Sequence, residues 1–359
     1  MADTLRSRAE VAVQGLTPGY FALVMATGII SVGLDLEGLV LLSRVLFAIC
    51  GAAFVVLLVL TTWRFVAYRH AVLEDFLDPR RAFGFFTFVA GTNVLGVRLG
   101  VAGWPEATAA LLTVSLLVWL LLGYVVPWTA VLGHEERPVV ATANGTWFIW
   151  VVASQSVAVA SAGIEPVFDG FRRELALLAV VSWSVGVFLY AAAGMLVTLR
   201  LMLYPFGPEE LTPPYWVAMG ALAITVLAGA RIVEMADAPM VAVTRDLIAG
   251  LAVVFWSFAT WLIPVLAAAG WWRHVRRKVP LRYDATLWSI IFPLGMYAVA
   301  GIYLGRADHL PVVETVGRVE LWVAFAAWLL VLVTMVAHVV RTVFRPAPAA
   351  GRTLTWSSG

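Results

Sequence analysis

The sequence predicts an all-α integral membrane protein of ten transmembrane helices paired as five helical hairpins. Three observations carry that prediction. Of the 359 residues, 62% are hydrophobic and 13% charged, with a mean hydropathy of +0.92. Soluble domains hold roughly 45–50% apolar and about 25% charged residues, so this much apolar surface needs lipid as its solvent. Apolar runs long enough to cross a hydrocarbon core of roughly 30 Å recur from Tyr20 to Val343, and their lack of strand-type alternation argues against a membrane barrel. Finally, one pattern recurs five times, in every second run.

Residues 1–18 read as a short N-terminal segment without the apolar stretch of a cleaved signal peptide. The spans then follow at 19–36, 39–67, 83–101, 106–132, 144–162, 173–203, 214–233, 245–272, 285–304 and 316–343, giving one transmembrane domain over 19–343. Residues 344–359 form a short tail. Proline and glycine punctuate the joints at Pro18-Gly19, Asp78-Pro79, Trp104-Pro105, Pro205-Phe206-Gly207-Pro208 and Pro213-Pro214. Because the connections are short, consecutive spans are expected to be hairpin neighbours. The N-terminal segment, the tail and the loops after even-numbered spans carry basic residues such as Arg64, Arg80, Arg200 and Arg276; these outnumber those on the other side, among them Arg44, Arg172 and Arg306, by roughly two to one, which predicts cytoplasmic termini.

The repeat lies in the odd-numbered spans. They read YFALVMATGII from Tyr20, FFTFVAGTNVL from Phe85, WFIWVVASQSV from Trp147, YWVAMGALAIT from Tyr215 and WSIIFPLGMYA from Trp288. Each opens on an aromatic residue, at intervals of 65, 62, 68 and 73 residues. Four positions on come Val24, Val89, Val151, Met219 and Phe292; seven positions on come Thr27, Thr92, Ser154, Leu222 and Gly295. The even-numbered spans are longer and richer in Leu and Val. This predicts odd spans facing inward and even spans facing lipid. Small residues let helices approach closely, and their hydroxyls can also hydrate an inner face; the same residues serve plain packing equally well.

Four stretches, Pro18–Ser31 (PGYFALVMATGIIS), Phe83–Gly96 (FGFFTFVAGTNVLG), Asn144–Ala158 (NGTWFIWVVASQSVA) and Trp288–Ala300 (WSIIFPLGMYAVA), resemble the tellurite-resistance/dicarboxylate transporter family. That family includes slow-type anion channels of plant guard cells, bacterial tellurite-resistance proteins, and fungal malate and sulfite transporters. The resemblance covers the whole membrane region. It implies a quasi-fivefold arrangement of the hairpins around a central pore, a plasma-membrane location, and a homotrimer in which each subunit has its own pore. It also places the family's gating phenylalanine at Phe292. The long regulatory tails of the plant channels have no counterpart here, so control by tail phosphorylation is not expected.

Phe292 stands out independently. Pro293 lacks an N–H and clashes with the preceding turn, so a kink is expected there, and a displaced aromatic ring can plug a narrow path. The competing reading is ordinary core or lipid-facing packing. Along the permeation path we expect Val24, Thr27, Val89, Thr92, Asn93, Val151, Ser154, Gln155, Met219 and Gly295, with Asn93 and Gln155 the strongest, because a buried amide needs a partner or water. Arg98 and Arg231 are candidates for charges at the pore mouth, or simple topology signals.

The five inner segments contain no acidic residue, basic residue or histidine. A proton-coupled carrier ordinarily needs such a relay. Passive passage of a small anion is therefore expected, with an ion-coupled carrier of dicarboxylate or sulfite as the alternative and a membrane enzyme without transport as a remote one. No cofactor, metal or nucleic-acid partner is expected: one cysteine, scattered histidines (His70, His134, His274, His309 and His338) and the loop pairs Glu135-Glu136 and Glu209-Glu210 form no ligand or catalytic set. Asn144-Gly145-Thr146 matches a glycosylation sequon but lies at an expected cytoplasmic helix start.

Overall fold

The computed structural model describes residues 2–133, 137–236 and 238–344. His134, the Glu135-Glu136 pair and the tail from 345 onward lie outside the described residues. All regular structure among the described residues is helical. Ten helices are long and apolar enough to span a membrane: Pro18–Leu36, Val40–Ala67, Ala82–Val101, Pro105–Leu132, Gly145–Ile164, Asp169–Leu203, Pro213–Val233, Pro239–Arg276, Ala285–Ala307 and Pro311–Val343. We number these spans 1 to 10. Spans 6, 8 and 10 begin earlier than hydropathy predicts; in spans 8 and 10 Pro239 and Pro311 open the helices at a position where the missing N–H costs nothing, and the polar first turns follow. Two further α-helices among the described residues, Ala2–Gln14 and Arg69–Leu77, are too short to span a membrane, at 13 and 9 residues.

Burial separates the two sets of spans. In each odd span 78–89% of the most apolar stretch is buried, against 11–33% in each even span. Every odd span packs against its own even partner. The odd spans also pack on one another in chain order, 1 on 3, 3 on 5, 5 on 7 and 7 on 9, and span 9 returns to pack on span 1.

All five odd spans open with one 3-10 turn: Pro18–Phe21, Ala82–Phe85, Gly145–Trp147, Pro213–Trp216 and Ala285–Leu287. These turns touch one another in the same cyclic order, so all five odd spans start at one end of the bundle. The ring closes tightly. A Cβ on Gly145 would stand 2.2 Å from the Pro214 carbonyl carbon, and one on Gly84 would stand 3.1 Å from the Gly19 nitrogen. Only glycine permits that approach of backbone to backbone. Asn144 and Asp284 cap their turns alike, each Oδ1 accepting the amide of the second residue on, Thr146 or Thr286, at 2.8 Å. The sequon at Asn144 is thus an Asx turn.

Each even span also reaches the first helix of the next hairpin. Trp119 of span 4 donates Nε1–H to Ser154 of span 5 at 2.9 Å, and Trp183 of span 6 to the Thr225 carbonyl of span 7 at 3.1 Å. Trp256 of span 8 stacks on Tyr297 of span 9, and Trp328 of span 10 donates to Thr27 of span 1 at 3.0 Å. Phe54 of span 2 stacks on Phe88 of span 3.

Candidate functional site

The cavity of interest lies among the odd spans, in the half away from the 3-10 ring. It is small, about 20 Å³ in volume, and all five odd spans line it. Ile29, Asn93, Ser156, Ile224 and Met296 form its deepest level; Arg231 and Tyr303 stand further along spans 7 and 9. Larger recesses of about 1020 and 660 Å³ lie outside the inner ring, one walled by spans 2 and 10 and the helix Ala2–Gln14, the other by span 8 and the segment before span 9.

Helical register places Val24, Val89, Val151, Met219 and Phe292 one turn nearer the 3-10 ring than the deepest level of the cavity. Phe292 and Val89 precede Met296 and Asn93 by four residues, and Val24, Val151 and Met219 precede Ile29, Ser156 and Ile224 by five. The exposure of all five is between 0 and 1%. All five side chains are thus buried at this level, and Phe292 is the largest of them.

Span 9 is wedged here. A Cβ on Gly220 of span 7 would come within 2.8 Å of Pro293 Cγ, and one on Gly295 within 2.9 Å of Ile30 Cγ1 of span 1. The α-helix runs from Trp288 to Ala307 with Pro293 inside it. The missing amide still leaves the Ser289 carbonyl without its helical donor.

The other predicted residues divide into two groups. Asn93 lines the cavity and is held on both sides: its Nδ2 donates to Ser156 Oγ at 2.9 Å, and its Oδ1 accepts from Ser115 Oγ of span 4 at 2.5 Å. Thr27, Ser154 and Gln155 turn instead to the outer spans. The first two accept the Trp328 and Trp119 indoles, and Gln155 Nε2 donates to the Trp183 carbonyl at 3.1 Å while its side chain fills the space beside Gly186. Thr92 bonds back to the Phe88 carbonyl of its own helix at 2.7 Å.

The two candidate mouth charges also differ. Arg98 is 3% exposed and faces spans 1 and 2, donating to Ser31 at 2.9 Å and Ser43 at 3.0 Å, with Asp35 at 3.4 Å and its guanidinium over the Phe47 ring. It ties three spans together and does not line the cavity. Arg231 does line it, 4.6 Å above the Tyr303 ring centroid and 4.0 Å from Glu234. No group of three or more His, Cys, Asp or Glu among the described residues could hold a metal ion.

The profile of the voltage-dependent anion channel family matches residues 15–336. The chain belongs to that family. Among its relatives, an uncharacterised membrane protein of Mycobacterium tuberculosis is 62% identical over 159 residues, covering 44% of this chain and 81% of the relative. An uncharacterised transporter of Methanocaldococcus jannaschii is 24% identical across 93% of this chain and 96% of its own. A sulfite efflux pump of Arthroderma otae is 24% identical across 89% of this chain and 90% of its own. Family membership and these relatives support anion transport across a membrane as the activity of this chain.

The sequence pattern missed the outer-span tryptophans, which decide where the small polar residues of the odd spans point. Their signal was available: Trp119, Trp183, Trp256 and Trp328 follow one another at 64, 73 and 72 residues, nearly the period of the aromatic openers.

Proposed function

We propose that the chain conducts small anions passively through a quasi-fivefold pore along the axis of the odd spans, with Phe292 as its gate. The observation that carries this reading is the register between the cavity and the buried level beneath it: every odd span contributes to both, and the bulkiest group at the closed level is Phe292. A closed apolar constriction stops ions by excluding water and needs no charged plug. Passive passage is favoured because, among the described residues, no carboxylate or histidine lines the cavity and the charged side chain in its lining, Arg231, is cationic. The excess of basic residues at the 3-10 ring end points to cytoplasmic termini, with the cavity opening outward. A homotrimer at the plasma membrane, each subunit with its own pore, follows from the family resemblance.

The test is anion current through purified protein in planar bilayers, wild type against Phe292→Ala. A larger, anion-selective current in the variant supports the gate. No current from either, together with uptake that requires a proton or sodium gradient, moves the protein to the coupled-carrier class. The name of the Arthroderma relative makes sulfite the first substrate to try in that uptake assay, ahead of a dicarboxylate such as malate.

A further inference from the structure

Asn93 is the one amide at the deepest level of the cavity, and an amide has two different faces. Its carbonyl oxygen attracts cations; its N–H groups attract anions. Which face the cavity meets depends on the hydrogen-bond chain around it, and two proton arrangements are conceivable. In the first, Ser115 donates to Asn93 Oδ1, Asn93 Nδ2 donates to Ser156, and Ser156 donates to the Ala153 carbonyl. In the flipped arrangement, Asn93 Nδ2 donates to Ser115, Ser115 donates to the Leu112 carbonyl, and Ser156 donates to Asn93.

The hydrogen-bond lengths agree with the first. The Ser115–Asn93 contact is 2.5 Å, which suits O–H···O and is too short for N–H···O. The Ser156–Ala153 contact of 2.7 Å belongs to the first arrangement, whereas the Ser115–Leu112 contact needed by the second is longer, at 3.0 Å. Ser115 sits behind Asn93 on the outer span 4 and is wholly buried, while Ser156 shares the cavity wall. The oxygen of the amide is therefore held away from the cavity and its nitrogen toward it. One N–H goes to Ser156 at 2.9 Å, and the second meets no acceptor among the described residues. Arg231 adds a cation to the same wall.

We propose that the Ser115–Asn93–Ser156 chain is a polarity filter: it locks the Asn93 amide with its N–H side toward the vestibule, so that the vestibule coordinates a small inorganic anion and disfavours cations. This rests on the pore reading above. Asn93 touches the ion, and Ser115, which never meets it, is a positioning residue.

The experiment measures reversal potentials in planar bilayers under a potassium chloride gradient, with every variant made on the Phe292→Ala background. Ser115→Ala removes the anchor on Oδ1 and frees the amide to turn; the chloride-to-potassium permeability ratio falls about fivefold, the worth of one hydrogen bond. Ser115→Thr restores the hydroxyl and the ratio, which a general packing defect would not do. Asn93→Asp keeps the shape, removes both donors and adds negative charge, and lowers the ratio further. If Phe292→Ala conducts and these variants keep its selectivity, the filter is wrong and the gate stands. If Phe292→Ala carries no current, the gate reading falls, and the filter is judged on wild-type protein by chloride NMR line broadening. There Ser115→Ala must weaken chloride binding by a similar factor, and unchanged broadening overturns the proposal.

Discussion

Asp75 and Arg64 form a buried ion pair whose removal has a calculable effect. Arg64 ends span 2, Asp75 lies on the helix Arg69–Leu77, and Nη1 approaches Oδ2 to 2.6 Å with the side chains 5% and 1% exposed. Arg81 Nη1 stands 2.9 Å from the other oxygen but is 47% exposed. Asp75→Asn preserves shape and removes charge. Arg81 can rehydrate, so its share is under about 1 kcal/mol. Arg64 cannot; stranding a buried charge costs about 3–5 kcal/mol. Its Nε still donates to the Gln14 carbonyl at 3.1 Å and Nη2 to that of Ala71 at 3.4 Å. Those remaining bonds set the expected loss near the low end, about 3 kcal/mol. The assay is reversible unfolding in mixed micelles, closed as a double-mutant cycle with Arg64→Met. A coupling of about 2–3 kcal/mol is expected. A loss within about 1 kcal/mol of wild type would mean that water reaches the pair, and the buried-pair reasoning would fail.

Three further outcomes are expected. Gly220→Ala drives a methyl into the Pro293 ring and lowers stability by about 1–3 kcal/mol, read as a lower thermal transition on size-exclusion chromatography; an unchanged transition would show that span 9 yields freely. Trp328→Phe removes the bond to Thr27 and costs about 1 kcal/mol in the micelle unfolding assay without altering ion selectivity; a shift in permeability ratio would place Thr27 on the conduction path after all. Arg231→Gln lowers single-channel anion current at low salt, with the difference shrinking as ionic strength rises through about 1 M, where the screening length is about 3 Å; a salt-independent effect would remove Arg231 from the electrostatic account.

The ten spans and the inner and outer sets were legible in the residues because each rests on bulk hydropathy and on a repeat that recurs five times. The direction of single polar side chains was not. A helix buried on every side has apolar neighbours all round, so periodicity cannot say whether Thr27 or Asn93 faces the axis. That depends on partners far along the chain: Trp328 for Thr27, Trp119 for Ser154, Ser115 for Asn93. Arg98 was misleading for a related reason. Near a helix end it resembled a mouth charge, but its acceptors Ser31 and Ser43 lie on spans 1 and 2 and draw it sideways into the protein. The helix Arg69–Leu77 left no hydropathy signal because it is short and only Val72 and Asp75 of it are buried, Asp75 through an ion pair.

The cyclic closure of the odd spans bears on how the protein is made. The chain leaves the ribosome in order, and span 1 must wait for its second inner neighbour until span 9 has been synthesised; its indole partner Trp328 follows 301 residues after Thr27. Until then the cylinder has an open seam between spans 1 and 7, and the last hairpin is the piece that seals it. Phe292 belongs to that hairpin. The residue proposed as the gate thus arrives with the same stave that completes the wall.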